Sequence, residues 1–254
     1  IVFIALAFGA SSQIGTGQWR LHIPAKAVDV VATDESVFTA YEQGLSEYDK
    51  ASGELSFWDA VNSLSDISIS CLGNCTSDNS VFIGYENGNI DKIKDNTVTN
   101  IPAIKLAQIQ GVKEVFKMVE YDEHMYLATG FAIVKIDPKK NEVRDTYYPT
   151  NGNAPIHDLI FTNDSIYAIS DDRMYSGLIS NASLADPSQW DLVTRVPIIP
   201  SLSTNMYTDI EYTNNEIYVL YHNDLFGYDS VYHLGNTSFD IAVDEGGTIS
   251  TEIL

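Results

Sequence analysis

The chain has 254 residues and carries 35 acidic against 14 basic side chains, for a formal charge of −21. So acidic a surface repels phosphate backbones and anionic lipid, which argues against nucleic-acid partners and unassisted membrane adsorption. Hydrophobic residues make up 44% of the chain, so a sizeable core can form, and 15 Tyr against 10 Phe and 4 Met favours strands over helices.

In chain order, the uncharged apolar run Ile1–Phe8 comes first and leads into small residues at Ala10 and Ser12. This pattern predicts a signal-peptide remnant over residues 1–12, and the run is far shorter than the roughly 20 apolar residues of a membrane span. The mature protein is expected to begin near Gln13, and with no initiating Met or basic leader the true N-terminus is expected upstream. A buried first strand is the alternative. Trp19–Pro24 is a candidate strand for closing a ring with the last repeat.

A repeating unit follows. Each copy is a short apolar strand with an aromatic, a turn with Gly or Asn, and a second strand ending near Asp or Lys. The copies begin at Val37–Ala40 with Gly44–Asp49, Val81–Gly84 with Gly88–Ile93, Met125–Ala128 with Ala132–Asp137, Ile166–Ile169 and Ile217–Leu220. The marker aromatics Phe38, Phe82, Tyr126, Tyr167 and Tyr218 are spaced as four-stranded blades are, at roughly 40 to 50 residues. Period-two alternation selects strands over helical repeats, and Asn87-Gly88 suits the φ > 0 demands of a tight turn. Only Ile104–Met118 has room for a helical turn.

The fold class is therefore all-β, a β-propeller of four-stranded blades within a domain spanning residues 13–254. Five repeats are legible, and Ala242–Ser250 resembles the opening of a sixth, so the expectation is an incomplete seven-bladed ring.

Motifs that carry chemistry are scarce. There is no nucleophile elbow, zinc-protease motif, P-loop, dinucleotide fingerprint or calcium loop. His22, His124, His157, His222 and His233 share no metal-ligand spacing, and no cofactor is expected. Cys71 and Cys75 are the two cysteines. They form either a small local disulfide or two unconnected thiols. Asp171-Asp172-Arg173 is either a substrate clamp or a turn with a solvated ion pair. Trp19, Trp58 and Trp190 are either sugar platforms or blade packing, and Asn74, Asn163, Asn181 and Asn236 head Asn-x-Ser/Thr triplets suited to exposed turns. Propeller enzymes gather single residues from many blades, so missing motifs weigh little against catalysis.

Several segments carry a likeness to a known family. Gln13–Pro24, Gly44–Lys50, Leu64–Cys71, Ile83–Asp91 with Val98–Pro102, Asp145–Tyr148 and, more thinly, Leu184–Trp190 resemble the PorZ family of Bacteroidetes. The resemblance implies a surface component of the type IX secretion system, built from two propellers and a C-terminal domain. It also implies a sortase-like partner and the presentation of anionic lipopolysaccharide through regions beyond this chain. The expected function is thus binding and docking, without catalysis, at the periplasm or outer-membrane surface. A two-component sensor ectodomain that reads periplasmic glycans is the alternative, and a propeller lyase or hydrolase the third reading.

Overall fold

The computed structural model describes residues 26–150, 154–196, 206–222, 229–234 and 239–243. The expected leader over 1–12 and the Trp19–Pro24 strand lie outside them. Twenty strands form five sheets among the described residues. The first sheet holds β1 (Ala27–Ala32), β2 (Ser36–Tyr41), β3 (Gly44–Asp49) and β4 (Leu55–Asp59), and the second β5 (Ile69–Cys75), β6 (Ser80–Tyr85), β7 (Ile90–Lys94) and β8 (Thr97–Asn100). After helix α1 (Ala103–Leu106) come β9 (Val115–Tyr121), β10 (His124–Thr129), β11 (Ile133–Asp137) and β12 (Glu142–Tyr147). The fourth sheet holds β13 (Asp158–Phe161), β14 (Ser165–Ile169), β15 (Met174–Leu178) and β16 (Asp191–Leu192). The fifth holds β17 (Met206–Thr213), β18 (Glu216–His222), β19 (Ser230–Leu234) and β20 (Phe239–Val243).

Every sheet is an antiparallel meander with its strands in chain order, which makes it a propeller blade. The marker aromatics all stand at one position, in the second strand of their blade. Ala242 and Val243, expected to open a sixth repeat, instead end β20, where Val243 pairs with Val231. The alternation there is that of a fourth strand, and residues 244–254 lie outside the described set. The stretch from Ile104 holds one helical turn, α1, as its composition allowed.

Period-two alternation explains how the blades stack. In β6, Val81, Ile83 and Tyr85 enter a core shared with Phe38, Ala40 and Leu45 of the first blade. Phe82, between them, points the other way and joins Met118, Met125 and Leu127 of the third. Tyr126 and Ala128 meet Leu159, Ile166 and Ala168 of the fourth blade, whose Ile169 and Met174 meet Tyr207, Ile210 and Val219 of the fifth. Phe38, Phe82, Tyr126 and Tyr167 thus face the following blade, and the hydrophobic effect acts chiefly between sheets. The other face of the first blade leaves Val30, Tyr48, Leu55 and Phe57 exposed.

Glycine permits close approaches at several described positions, Gly88 and Gly73 among them. Gly88 adopts φ +80° under Ile104 and Lys113 of the α1 segment, so both turn geometry and packing require it. At Gly73, a Cβ would lie 2.7 Å from Cβ of Met118 and 2.8 Å from Cε of Met125. Gly73→Ala is therefore expected to overpack the second and third blades and cost about 1–3 kcal/mol, measured as a lower denaturant midpoint. An unchanged midpoint would mean that the methionines repack freely.

Candidate functional site

The first strands of the blades converge on the propeller axis, where one irregularity recurs. In β1, β5, β9 and β17 an extra residue interrupts pairing with the second strand: Val28, Ser70, Phe116 and Thr208. A bulge leaves its residue unpaired and re-aims the side chain. The fourth blade reaches the same level with His157, directly ahead of β13. The next residues, Asp29, Cys71, Lys117, Asp158 and Asp209, are also equivalent, lying opposite Ala40, Gly84, Ala128, Ile169 and Leu220. These five consecutive pairs line an open cavity of about 240 Å³.

Its carboxylates first hold the blades together. Asp29 Oδ2 accepts the N–H of Leu72 in the next blade at 2.7 Å, and Asp158 Oδ2 accepts that of Ile210 at 3.1 Å. Ser70 Oγ donates to the Val115 carbonyl at 2.7 Å. Each bond crosses to the following blade and satisfies a backbone group of that blade's first strand, which has a strand neighbour on one side only.

The electrostatics follow from crowding. Asp158 is buried and hydrogen-bonded to Asp209, so desolvation first and the neighbouring carboxyl second hold its proton well above the usual carboxylate range. Lys117 opposes this, with Nζ 4.0 Å from Asp209 Oδ1. Burial, then the charge of Asp29, drives the Cys71 thiol far upward, which leaves it inert as a nucleophile. The His157 ring tilts against Phe116 at a centroid distance of 4.9 Å, and its Nε2 meets Asp171 Oδ1 at 2.5 Å. The arrangement offers hydroxyls, one ammonium, a shared carboxyl proton and an aromatic face, which suits reversible polar binding.

Residues singled out by sequence are mostly spent elsewhere. Cys71 and Cys75 are free, buried thiols on one face of β5. Four strand steps of about 3.3 Å each hold their Cα atoms farther apart than the roughly 7 Å limit of a bridge, so none forms while the strand is intact. Trp58 Nε1 donates to Glu47 at 3.1 Å and Trp190 Nε1 to the Leu184 carbonyl at 2.9 Å, which fits blade packing rather than a sugar platform. Arg173 pairs with Asp172 at 2.9 Å in the turn after β14, the solvated-pair alternative, while Asp171 turns to His157.

His222 and His233 pair with Asp229 and Glu216, and His124 Nδ1 meets the Asp122 carbonyl. Asn74 lies within β5 rather than in a turn, and Nδ2 donates to the Ala32 carbonyl. His22, Trp19 and Asn236 lie outside the described residues. Among the described residues, no group of three or more His, Cys, Asp or Glu converges on a metal position. No helix there is long and apolar enough to cross a membrane.

Sequence reasoning missed the axial pairs, although a signal existed. Asp29, Lys117, Asp158 and Asp209 each lie nine residues before their blade's marker aromatic. Cys71 breaks the count because the hairpin between β5 and β6 is longer.

Comparison with known proteins gives concordant results. The family described as the N-terminal β-propeller domain of PorZ, of the type IX secretion system, matches residues 37–191. The solved structure of PorZ, a bacterial surface component of that system from Porphyromonas gingivalis, is similar at 23% identity with a TM-score of 0.69. That match covers 86% of this chain and 28% of PorZ. An extracellular domain described under hybrid two component system BT4673, from B. thetaiotaomicron, gives 17% identity and a TM-score of 0.62, covering 80% of this chain and 27% of that one. The WD40 repeats of RRP9 give 10% identity and a TM-score of 0.58, covering 86% and 62%. No curated protein matches. At these identities the solved structures share a fold with this chain, which spans under a third of the first two.

Proposed function

Because the chain belongs to the PorZ N-terminal β-propeller family, we propose that it serves as a docking propeller of a type IX secretion system at the outer-membrane surface. In this reading it assists a sortase-like component in anchoring cargo to anionic lipopolysaccharide. The observation that carries the reading is the family match, which runs from the first blade through the fourth. The stacked blades supply a rigid scaffold whose loops are available to partners. Catalysis has no part in it, since the axial cavity pairs an inert thiol with carboxyls already engaged by backbone.

Charge sets a condition on this role. Lys92 and Lys94 pair with Asp78, Lys105 with Asp66, Lys139 with Glu123 and Arg173 with Asp172. With a net charge of −21, contact with an anionic polysaccharide requires bridging cations or regions beyond this chain.

Deleting the gene in its host should leave secreted cargo unprocessed and poorly attached. Complementation with the full gene should restore attachment, and complementation lacking the blades should not. Normal cargo maturation in a clean deletion would overturn the reading. Altered transcription with intact maturation would move the chain to the sensor class instead.

A further inference from the structure

We propose that the axial cavity is a binding site for a single neutral, hexose-sized polyol, held between Lys117 and Asp209 and stacked on Phe116. Size comes first. At about 240 Å³ the cavity falls below the roughly 300–1,000 Å³ of pockets for drug-sized ligands, a size that matches one small ring.

The lining then selects the chemistry. Phe116 is half-buried, placed on the bulge of β9 and braced by the His157 ring, so it offers a fixed apolar face to the C–H side of a saturated ring. Lys117 is an obligate donor and the Asp209 carboxyl offers acceptor oxygens, with Nζ and Oδ1 4.0 Å apart. Adjacent hydroxyls of a polyol each donate and accept, so a vicinal diol satisfies both groups at once, with a charge-assisted bond at Lys117. Ser70 and Thr208, the bulge residues of β5 and β17, line the cavity beside that grip, the Ser70 hydroxyl already donating to the Val115 carbonyl.

The other carboxyls set selectivity. Asp29 accepts the N–H groups of Val30 and Leu72, and Asp158 those of Leu159 and Ile210, so each spends both oxygens on backbone and forms a wall, whereas Asp209 accepts one backbone N–H, that of Ile210, through Oδ1 at 3.1 Å. The negative charge of Asp29, which also acts on Cys71, disfavours a sugar acid or phosphate. A purely apolar ligand would strip water from Lys117 and Asp209 without replacing it. The site stands independently of the secretion role, because its size, aromatic face and charges are properties of the cavity alone.

The test is a titration of the isotope-labelled 254-residue chain, followed by NMR, with D-glucose, D-galactose, D-mannose and D-glucuronate as probes. At least one neutral hexose should shift the resonances of Phe116, Lys117 and Thr208 in a saturable way, and glucuronate should bind at least tenfold more weakly. Phe116→Ala and Lys117→Gln should each abolish the shifts while amide signals remote from the axis stay unchanged. Asp209→Asn serves as a third variant should either of these perturb the fold. Absence of saturable shifts with all three neutral hexoses overturns the proposal. So do shifts that survive in the folded variants, or glucuronate binding as tightly as its neutral counterpart.

Discussion

Replacing Asp78 with Ala is expected to destabilise the protein by about 3–5 kcal/mol, because it strands a buried ammonium group. Lys92 is 5% exposed, and its Nζ contacts Asp78 Oδ2 at 2.9 Å and the Pro138 carbonyl at 2.7 Å. The lysine therefore spans from the second blade to a turn of the third, and Asp78 supplies its counter-charge. Asp78 also binds Lys94 at 2.8 Å and Ser80 at 3.2 Å. Burial alone would raise its pKa, but the hydrogen bonds from Lys94 and Lys92 outweigh this and hold it below the ordinary value. A carboxylate so depressed contributes stability that is present above its unfolded pKa, near 3.9, and lost as the pH falls through the folded value. The double variant Asp78→Ala/Lys92→Met should recover most of the loss, since an apolar replacement of a buried pair is often neutral. Denaturant unfolding of both variants decides the matter. A loss below about 1 kcal/mol in the single variant would show that water reaches Lys92.

Asp158→Asn is expected to act in the opposite direction, making the protein more stable at neutral pH. In the native state Asp158 keeps its proton well above the usual range, through burial and its bond to Asp209, whereas the unfolded chain ionises it near pH 3.9. The native state thus binds more protons over that interval, and stability falls as pH rises from the unfolded to the folded value. The loss is about 1.4 kcal/mol for every pH unit the interval spans, and it levels off above the folded value. Lys117, Asp209 and His157 line the same cavity as the group, and Lys117 and the Ile210 N–H pull toward ionisation without prevailing. An Asn amide stays neutral at every pH: its oxygen can accept the Ile210 N–H and its NH₂ can donate to Asp209, giving up only the local bond that Oδ1 accepts from the Leu159 N–H. Near pH 4 the variant should match the parent, and above it the parent should fall behind. Parallel pH–stability curves would show that the pair is solvated and ionises normally.

The blades were legible in the sequence because their determinants are local. Marker aromatics such as Phe82 and Tyr126, turn glycines such as Gly88 and period-two runs such as Val81–Tyr85 act within one hairpin. The strand register and the burial of alternate faces follow from them. The limit of the last repeat was misjudged because Ala242 and Val243 have an alternation that fits a fourth strand as well as a first.

The channel was not legible, since Asp29, Lys117, Asp158 and Asp209 are brought together only when blades coil around an axis. Their shared level depends on bulges at Val28, Phe116 and Thr208 that leave no mark in composition. The same holds for Lys92, which by charge alone belongs at the surface and is buried because Asp78 and Pro138 meet it there. Local chemistry determined that this chain forms blades. Only the stacking of those blades decided which polar residues left water, because desolvation is a property of the assembled sheets and not of any one strand.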